Sequence, residues 1–232
     1  MTKFYGIGVG PGDPELLTLK AAETLRKLDV VIAPEKSKGR GSAALKIAKR
    51  YLKPDAKVLR MVFPMVEDRV LLKKSWKKCV ETIELEIQKG NYVGFITLGD
   101  PMIYSTYTYV FRMLQEKGIS IETIPGVPSF CACAAKAGKP LAQGRENLVV
   151  IPGVKNKEEL ENLLDNFKNV VVMKAGSHLD KTIELLEAKG FSHLTLVSQC
   201  GFDEEKVYHD LRDLQNKKIH YLSMIIAKKG DE

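Results

Sequence analysis

Short runs of β-branched and aromatic residues alternate with longer stretches of helical periodicity along nearly the whole chain, which restricts the fold more than any other feature. FYGIGV (4–9), VVIA (30–33), KVLRMV (57–62) and YVGFITL (92–98) read as strands. Helical patterns at 15–28, 42–52 and 68–89 lie between them, and a further helix over 105–117 follows. That helix stops at Gly118, a residue suited to the left-handed position that closes a helix. A second alternation then begins, with strands at 120–124, 147–151, 169–173, 194–198 and 220–226. Its helical patterns fall at 129–137, 157–167 and 178–189, with a weaker one at 204–215. The expectation is two α/β units, 1–118 and 119–232, each large enough to bury a core.

Composition removes several classes of protein. No apolar run approaches the roughly 20 residues that a membrane helix needs, and MTKFYGIGVG passes into glycines where a signal peptide would carry its apolar segment. The cytoplasm is therefore the expected compartment, with no membrane partner. Cys79, Cys131, Cys133 and Cys200 contain no C-x-x-C pair, and the four histidines show no ligand spacing, so no protein-bound metal is expected. The charge is uneven. Residues 1–119 hold 21 Lys and Arg against 13 Asp and Glu, and 36–78 alone hold 14 against 3. Such a field suits an anionic partner, whether nucleic acid, membrane surface or a polycarboxylate, and charge alone does not choose among them.

The first chemical signal is Gly6-Ile-Gly8-Val-Gly10-Pro-Gly12-Asp13-Pro14, directly after a strand and before a helix. It is not a dinucleotide fingerprint, because G-x-G-x-x-G counted from Gly6 meets Pro11 and counted from Gly8 meets Asp13. Nor is the acidic residue that such a site needs at the end of its second strand expected, since Asp29 precedes that strand and the strand is read to end at Ala33-Pro34. No G-K-[ST] exists for a phosphate loop. The second signal, Thr97-Leu98-Gly99-Asp100-Pro101-Met102-Ile103-Tyr104-Ser105-Thr106-Tyr107, leaves the carboxyl end of a strand, where open α/β sheets hold their ligands. The third is Ile124-Pro125-Gly126-Val127-Pro128-Ser129-Phe130, ahead of a helix rich in Ala and Cys.

Taken together, these three stretches resemble the tetrapyrrole (corrin and porphyrin) methyltransferases, with a G-x-G-x-G-D-P-type opening, a central G-D-P loop and a P-G-V turn in that order. The resemblance covers essentially the whole chain. The strings YGIGVGPGDPELLTLKA, GDPMIYSTY and PGVPSF look most like the branch that methylates C-20 of cobalt-factor II or precorrin-2. Pro128 stands where many members carry a small polar residue. The resemblance implies a two-domain fold, each domain a mixed sheet flanked by helices, with S-adenosylmethionine in the cleft between them. It also implies a homodimer.

By the same resemblance, the loop of Gly99, Asp100, Ile103, Ser105 and Thr106 holds S-adenosylmethionine, with Pro11, Ser129, Phe130 and Met173 flanking it. Gln199, Cys200, Ser223 and Met224 are expected to complete the adenosine pocket. Tyr104 and Tyr107 are the candidates for substrate positioning or proton transfer, although a tyrosine of ordinary pKa near ~10 is a weak base at neutral pH. The tetrapyrrole's acetate and propionate groups give the basic stretch a partner, with Lys36 and Arg40, and also Lys38, Lys46 and Arg60, as candidate contacts. Two other readings are a corrin methyltransferase of different regiochemistry and an RNA-modifying relative. With 7% aromatic residues and no RNA-stacking motif, no nucleic-acid partner is expected.

Overall fold

The computed structural model describes residues 4–64, 68–153, 157–214 and 217–230. The chain divides into two compact units, Met1–Pro128 and Ser129–Glu232. In the first, strands β1 (Phe4–Gly8), β2 (Val30–Glu35), β3 (Lys57–Val62), β4 (Val93–Thr97) and β5 (Ile121–Ile124) form a parallel sheet in the order β3-β2-β4-β1-β5. Helices α1 (Leu19–Leu25), α2 (Ala43–Ala48), α3 (Arg69–Gln88) and α4 (Tyr107–Glu116) connect them. The division at Gly118 expected from helix punctuation is corrected. Phe4–Ile7 pair with Ile121–Ile124, so β5 completes the first sheet and the break comes after Pro128.

Side-chain phase explains the layers. Phe4, Val30, Ile32, Val93 and Phe95 face Cys79, Val80 and Ile83 of α3 and Tyr107, Val110 and Leu114 of α4. On the opposite face Leu28, just past α1, lies against Gly94. The helix starts are capped by short polar side chains: Thr18 accepts from the Ala21 N–H, Ser42 from Leu45, and Asp68 from Val70 and Leu71. Thr18 also accounts for a departure from the expected 15–28 helix, which is instead a 3-10 turn at Pro14–Leu16 followed by the shorter α1.

The second unit holds α5 (Ser129–Ala137), β6 (Leu148–Ile151), α6 (Lys157–Asn166), β7 (Asn169–Met173), α7 (Leu179–Ala188), β8 (Phe191–Ser198), β9 (Lys206–Tyr208) and β10 (Ser223–Lys229). Its sheet is mixed, in the order β6-β7-β10-β8-β9, with only β6 and β7 parallel. Val170, Val172, Leu196, Ile225 and Ala227 meet Leu160 and Leu164 of α6 and Leu179, Ile183 and Leu186 of α7. The other face takes α5, whose Ala132, Cys133, Ala134 and Ala137 are buried. The weak helix expected over 204–215 is corrected to β9 and a 3-10 turn at Arg212–Leu214, while residue 215 lies outside the described residues. Val207 and Tyr208 favour a strand, and an open edge of β8 pairs with them.

One carboxylate ties α3 to the sheet. Glu86, its side chain 5% exposed, accepts from Lys57 Nζ (2.9 Å), Lys89 Nζ (2.9 Å) and Asn91 Nδ2 (2.7 Å). Lys57 and then Lys89 do most to hold its carboxyl down, at about 2 against an ordinary 4.5. A lowered folded-state pKa stabilises the protein above the ordinary carboxylate range, and that contribution is lost as pH falls towards 2. Glu86→Gln is expected to cost about 1–3 kcal/mol at pH 7. Denaturant titrations from pH 7 to 3 should show the gap between variant and wild type closing below about pH 4.5.

Candidate active site

The order β3-β2-β4-β1-β5 places β1 and β4 side by side at the centre, with their onward connections leaving to opposite sides, towards β2 and β5. Such a switch point opens a crevice at the carboxyl ends of the strands. The first two motifs are the loops that leave those strands, and the third leaves β5 beside β1.

Their backbones lock together. The Gly99 N–H donates to the Gly10 carbonyl at 2.7 Å, and the Gly10 N–H returns a bond to the Gly99 carbonyl at 3.3 Å. A Cβ on Gly8 would lie 2.6 Å from the Gly126 nitrogen, and one on Gly126 would lie 2.3 Å from the Gly99 oxygen. No side chain fits at either position, and this is the physical reason for glycine there. Asp100 completes the junction. Its Oδ1 accepts from the Met102 N–H (2.8 Å) and its Oδ2 from the Gly126 N–H (3.0 Å), so one carboxylate sets both the turn of its own loop and the position of the third. Asp13 plays the local part alone, accepting from Glu15 N–H.

Within the 99–106 loop, Ser105 is buried, and its hydroxyl bonds Thr97 Oγ1 at 2.9 Å and accepts from the Tyr107 N–H. Ser105 therefore joins the strand end to the start of α4. Ile103 and Thr106 are half-buried, Pro11 is buried, and Met102 and Tyr104 are exposed. Tyr104 holds a left-handed backbone, φ 49°. The two tyrosines part here. Tyr107 has no exposed surface. Its ring lies beneath Gly6, where a Cβ would come within 2.1 Å of Cζ, and its hydroxyl bonds Thr123 Oγ1 at 2.6 Å. Burial pushes its phenol above the ordinary value, with the Thr123 bond opposing. Tyr107 is thus a core residue, and its candidacy for proton transfer is corrected on that ground.

In the second unit, Met173 and Met224 are register partners across β7 and β10, and Ser223 pairs with Ser198 at the end of β8, one residue before Gln199. The strand ends therefore bring Met173, Gln199, Cys200, Ser223 and Met224 to one edge of the sheet. The Ser223 hydroxyl is spent locally, on Ser198 Oγ and the His220 carbonyl. The Cys200 thiol is buried and hydrogen-bonded to Cys133 of α5, a bond that lowers its pKa. Ser129 and Phe130 open α5 and are half-buried. Tyr104, Lys174 and Gln199 are the non-glycine residues with positive φ among those described. All three fall in or next to segments singled out above, as strained backbone at functional sites commonly does.

The basic residues of the first unit divide too. Lys36, Lys38 and Arg40 are exposed in the loop after β2, at the carboxyl edge of the sheet, whereas Lys46 lies on α2. Arg60 of β3 reaches Glu35. Two features escaped sequence reasoning. Trp76 of α3 stacks on Tyr109 of α4 with ring centroids 4.0 Å apart and planes 4° from parallel, and Glu35 is a buried carboxylate. Neither has a local signal, because each depends on a distant partner.

Within the first unit, the backbone groups of the locked turn and the small hydroxyl of Thr106 are chemically suited to S-adenosylmethionine. Within the second, taken by itself, the strand edge offers thioether surface at Met173 and Met224. Among the described residues, no group of three or more His, Cys, Asp or Glu is gathered as a metal would need, and no helix is long and apolar enough to cross a membrane.

The sequence profile of the tetrapyrrole (corrin/porphyrin) methylases matches residues 3–215. The chain is 36% identical to a probable cobalt-precorrin-2 C(20)-methyltransferase of Methanocaldococcus jannaschii, over 98% of this chain and 96% of that protein. It is 34% identical to the cobalt-precorrin-2 C(20)-methyltransferase of Salmonella typhimurium, with the same coverage. The fold matches a cobalt precorrin-4 methyltransferase with a TM-score of 0.79 at 24% identity, covering 97% of this chain and 94% of that one. It also matches the Thermus thermophilus uroporphyrin-III C-methyltransferase complexed with S-adenosylhomocysteine, with a TM-score of 0.69 at 22% identity, over 97% of this chain and 96% of that one. The architecture, the three joined loops and the profile match agree: the chain belongs to the tetrapyrrole (corrin/porphyrin) methylases.

Proposed function

We propose that this protein transfers a methyl group from S-adenosylmethionine to C-20 of cobalt-precorrin-2 during cobalamin biosynthesis. The observation that carries the reading is near-full-length identity of 36% and 34% to two proteins of that name, in a chain whose three characteristic loops meet at the sheet's switch point. A relative named precorrin-2 C(20)-methyltransferase, from Sinorhizobium, stands at 28%, below the two named for cobalt-precorrin-2, so the cobalt-loaded substrate is the one we assign.

When bound, S-adenosylmethionine supplies a methyl group on a sulfonium, and C-20 of the macrocycle takes it with loss of its proton. Because a sulfonium is already a good leaving site, the protein contributes orientation and exclusion of water. The 99–106 loop, held by Asp100 and Ser105, offers backbone donors and acceptors that need no rearrangement on binding. Pro11, Ser129, Phe130, Met173, Gln199, Cys200, Ser223 and Met224 contribute the remaining cofactor contacts. Of these, Ser223 and Cys200 act through their backbone, since their side chains are engaged. Lys36 and Arg40 meet substrate carboxylates, and the exposed Tyr104 positions the macrocycle or guides the departing proton.

Purified protein incubated with S-adenosylmethionine and cobalt-precorrin-2 should yield a product whose new methyl is located at C-20 by NMR, and incorporation elsewhere or not at all would sink the assignment. The double replacement of Lys36 and Arg40 by alanine should weaken tetrapyrrole binding and leave S-adenosylmethionine affinity unchanged in calorimetry. The two tyrosines should separate. Tyr107→Phe is expected to lose about 1 kcal/mol of stability while kcat and its pH profile hold, whereas Tyr104→Phe or Tyr104→Ala should alter kcat or the tetrapyrrole KM.

A further inference from the structure

Between Asp29 and Asp55 the chain has one acidic residue, Glu35, among seven basic ones: Lys36, Lys38, Arg40, Lys46, Lys49, Arg50 and Lys53. It is also buried, with 3% of its side chain exposed. Taking a carboxylate out of water costs several kcal/mol unless partners compensate. Here the compensation is incomplete. Oε2 accepts the Gly39 N–H at 3.2 Å, while Oε1 has no hydrogen-bond partner and faces Arg60 Nε at 3.6 Å, an ion pair too long to be a hydrogen bond. The pairing of β2 with β3 does not use the carboxylate. The strand is carried by backbone, with the Phe63 N–H donating to the Glu35 carbonyl and Glu35 in register with Val62.

What the carboxylate does is organise cations. Ala33 is the register partner of Arg60, and residues two apart on a strand share a face, so Glu35 and Arg60 lie on the same side at the carboxyl edge of the sheet. Its grip on Gly39 folds the loop of Lys36, Lys38 and Arg40 back over the end of β2. Its charge faces the Nε edge of Arg60, whose side chain is 58% exposed. A guanidinium presents five donors in a fixed fork, so one held at Nε can turn its terminal nitrogens outward to grip a carboxylate in bidentate fashion.

We infer that Glu35 is a positioning residue for substrate recognition, holding Arg60 and the 36–41 loop so that their outer donors meet the carboxylates of the tetrapyrrole. This rests on the proposal that the basic segment binds those carboxylates. Arg60 is then a direct contact, and Glu35 acts through it and through the loop. A lysine at 60 would supply charge without the fork and would not serve.

Steady-state kinetics of Glu35→Gln, Arg60→Ala, Arg60→Lys and the Glu35→Gln/Arg60→Ala double variant test this. Glu35→Gln is nearly isosteric and Arg60 is exposed, so at least the Arg60 variants keep the fold. The expectation is a tetrapyrrole KM raised roughly tenfold in Glu35→Gln and in Arg60→Ala, within the range of coupling between residues in contact. The kcat and the S-adenosylmethionine KM should stay within about twofold, Arg60→Lys should fail to restore the KM, and the double variant should fall well short of the product of the two single effects. An unchanged tetrapyrrole KM, effects that multiply in the double variant, or a loss shared equally by both substrates would overturn the inference. If the wild type methylates the tetrapyrrole beside an unaffected Glu35→Gln, this inference alone fails. If the wild type neither binds nor methylates it, the proposed function fails too.

Discussion

The approach of three backbones at Gly8, Gly99 and Gly126 is the constraint on which the first unit's site depends. A methyl group on Gly8 or on Gly126 would collide with main-chain atoms of the neighbouring loops, the Gly99 carbonyl among them. The loops after β1, β4 and β5 therefore behave as one rigid body, stitched by the Gly10–Gly99 pair and by Asp100 reaching Gly126. The rigidity follows from topology as much as from glycine. Because β1 and β4 are adjacent and their connections diverge, the loops face one crevice, and β5 brings the third alongside. Preorganisation of this kind suits a transfer whose leaving group needs little chemical help.

Carboxylates play a common part in this basic chain of net charge +7. Asp29 accepts from Lys53 and from the Tyr92 N–H at the entry to β2 and β4. Glu86 gathers Lys57, Lys89 and Asn91 at the end of α3. Asp100 and Glu35 do the same kind of work at the carboxyl edge, one towards backbone N–H groups and one towards Gly39 and Arg60. Each of these acids thus fixes a base or a backbone N–H in a defined place. Lys36, Lys38 and Arg40 lie together and exposed beyond β2.

In the second unit, strand ends do the gathering. Antiparallel pairing of β10 with both β7 and β8 brings Met173, Met224 and the Gln199–Cys200 turn to one edge. Left-handed backbone at Lys174 and Gln199 shows that this edge is held against local preference, as Tyr104 is in the first unit.

Much of this was legible in the chain. Apolar periodicity encodes which face of each element is buried, so nine of the strands and the main helices could be read from local pattern. Glycine and proline mark where backbone must turn or be approached, so the three loops stood out in order. Local pattern carries no information about which elements become neighbours. It placed the boundary at Gly118, although pairing with β1 draws β5 into the first sheet. It could not tell Tyr104 from Tyr107, since the difference lies in where α4 begins, at Tyr107, and in the space left beneath Gly6. Nor could it connect Glu35 to Arg60 or Trp76 to Tyr109, pairs that exist only because strand order and helix packing bring distant residues together. The sequence by itself determined the elements, the loops and the family. Only the tertiary structure decided which polar groups are exposed to act and which are spent holding the site, because burial and partnership depend on residues distant in the chain.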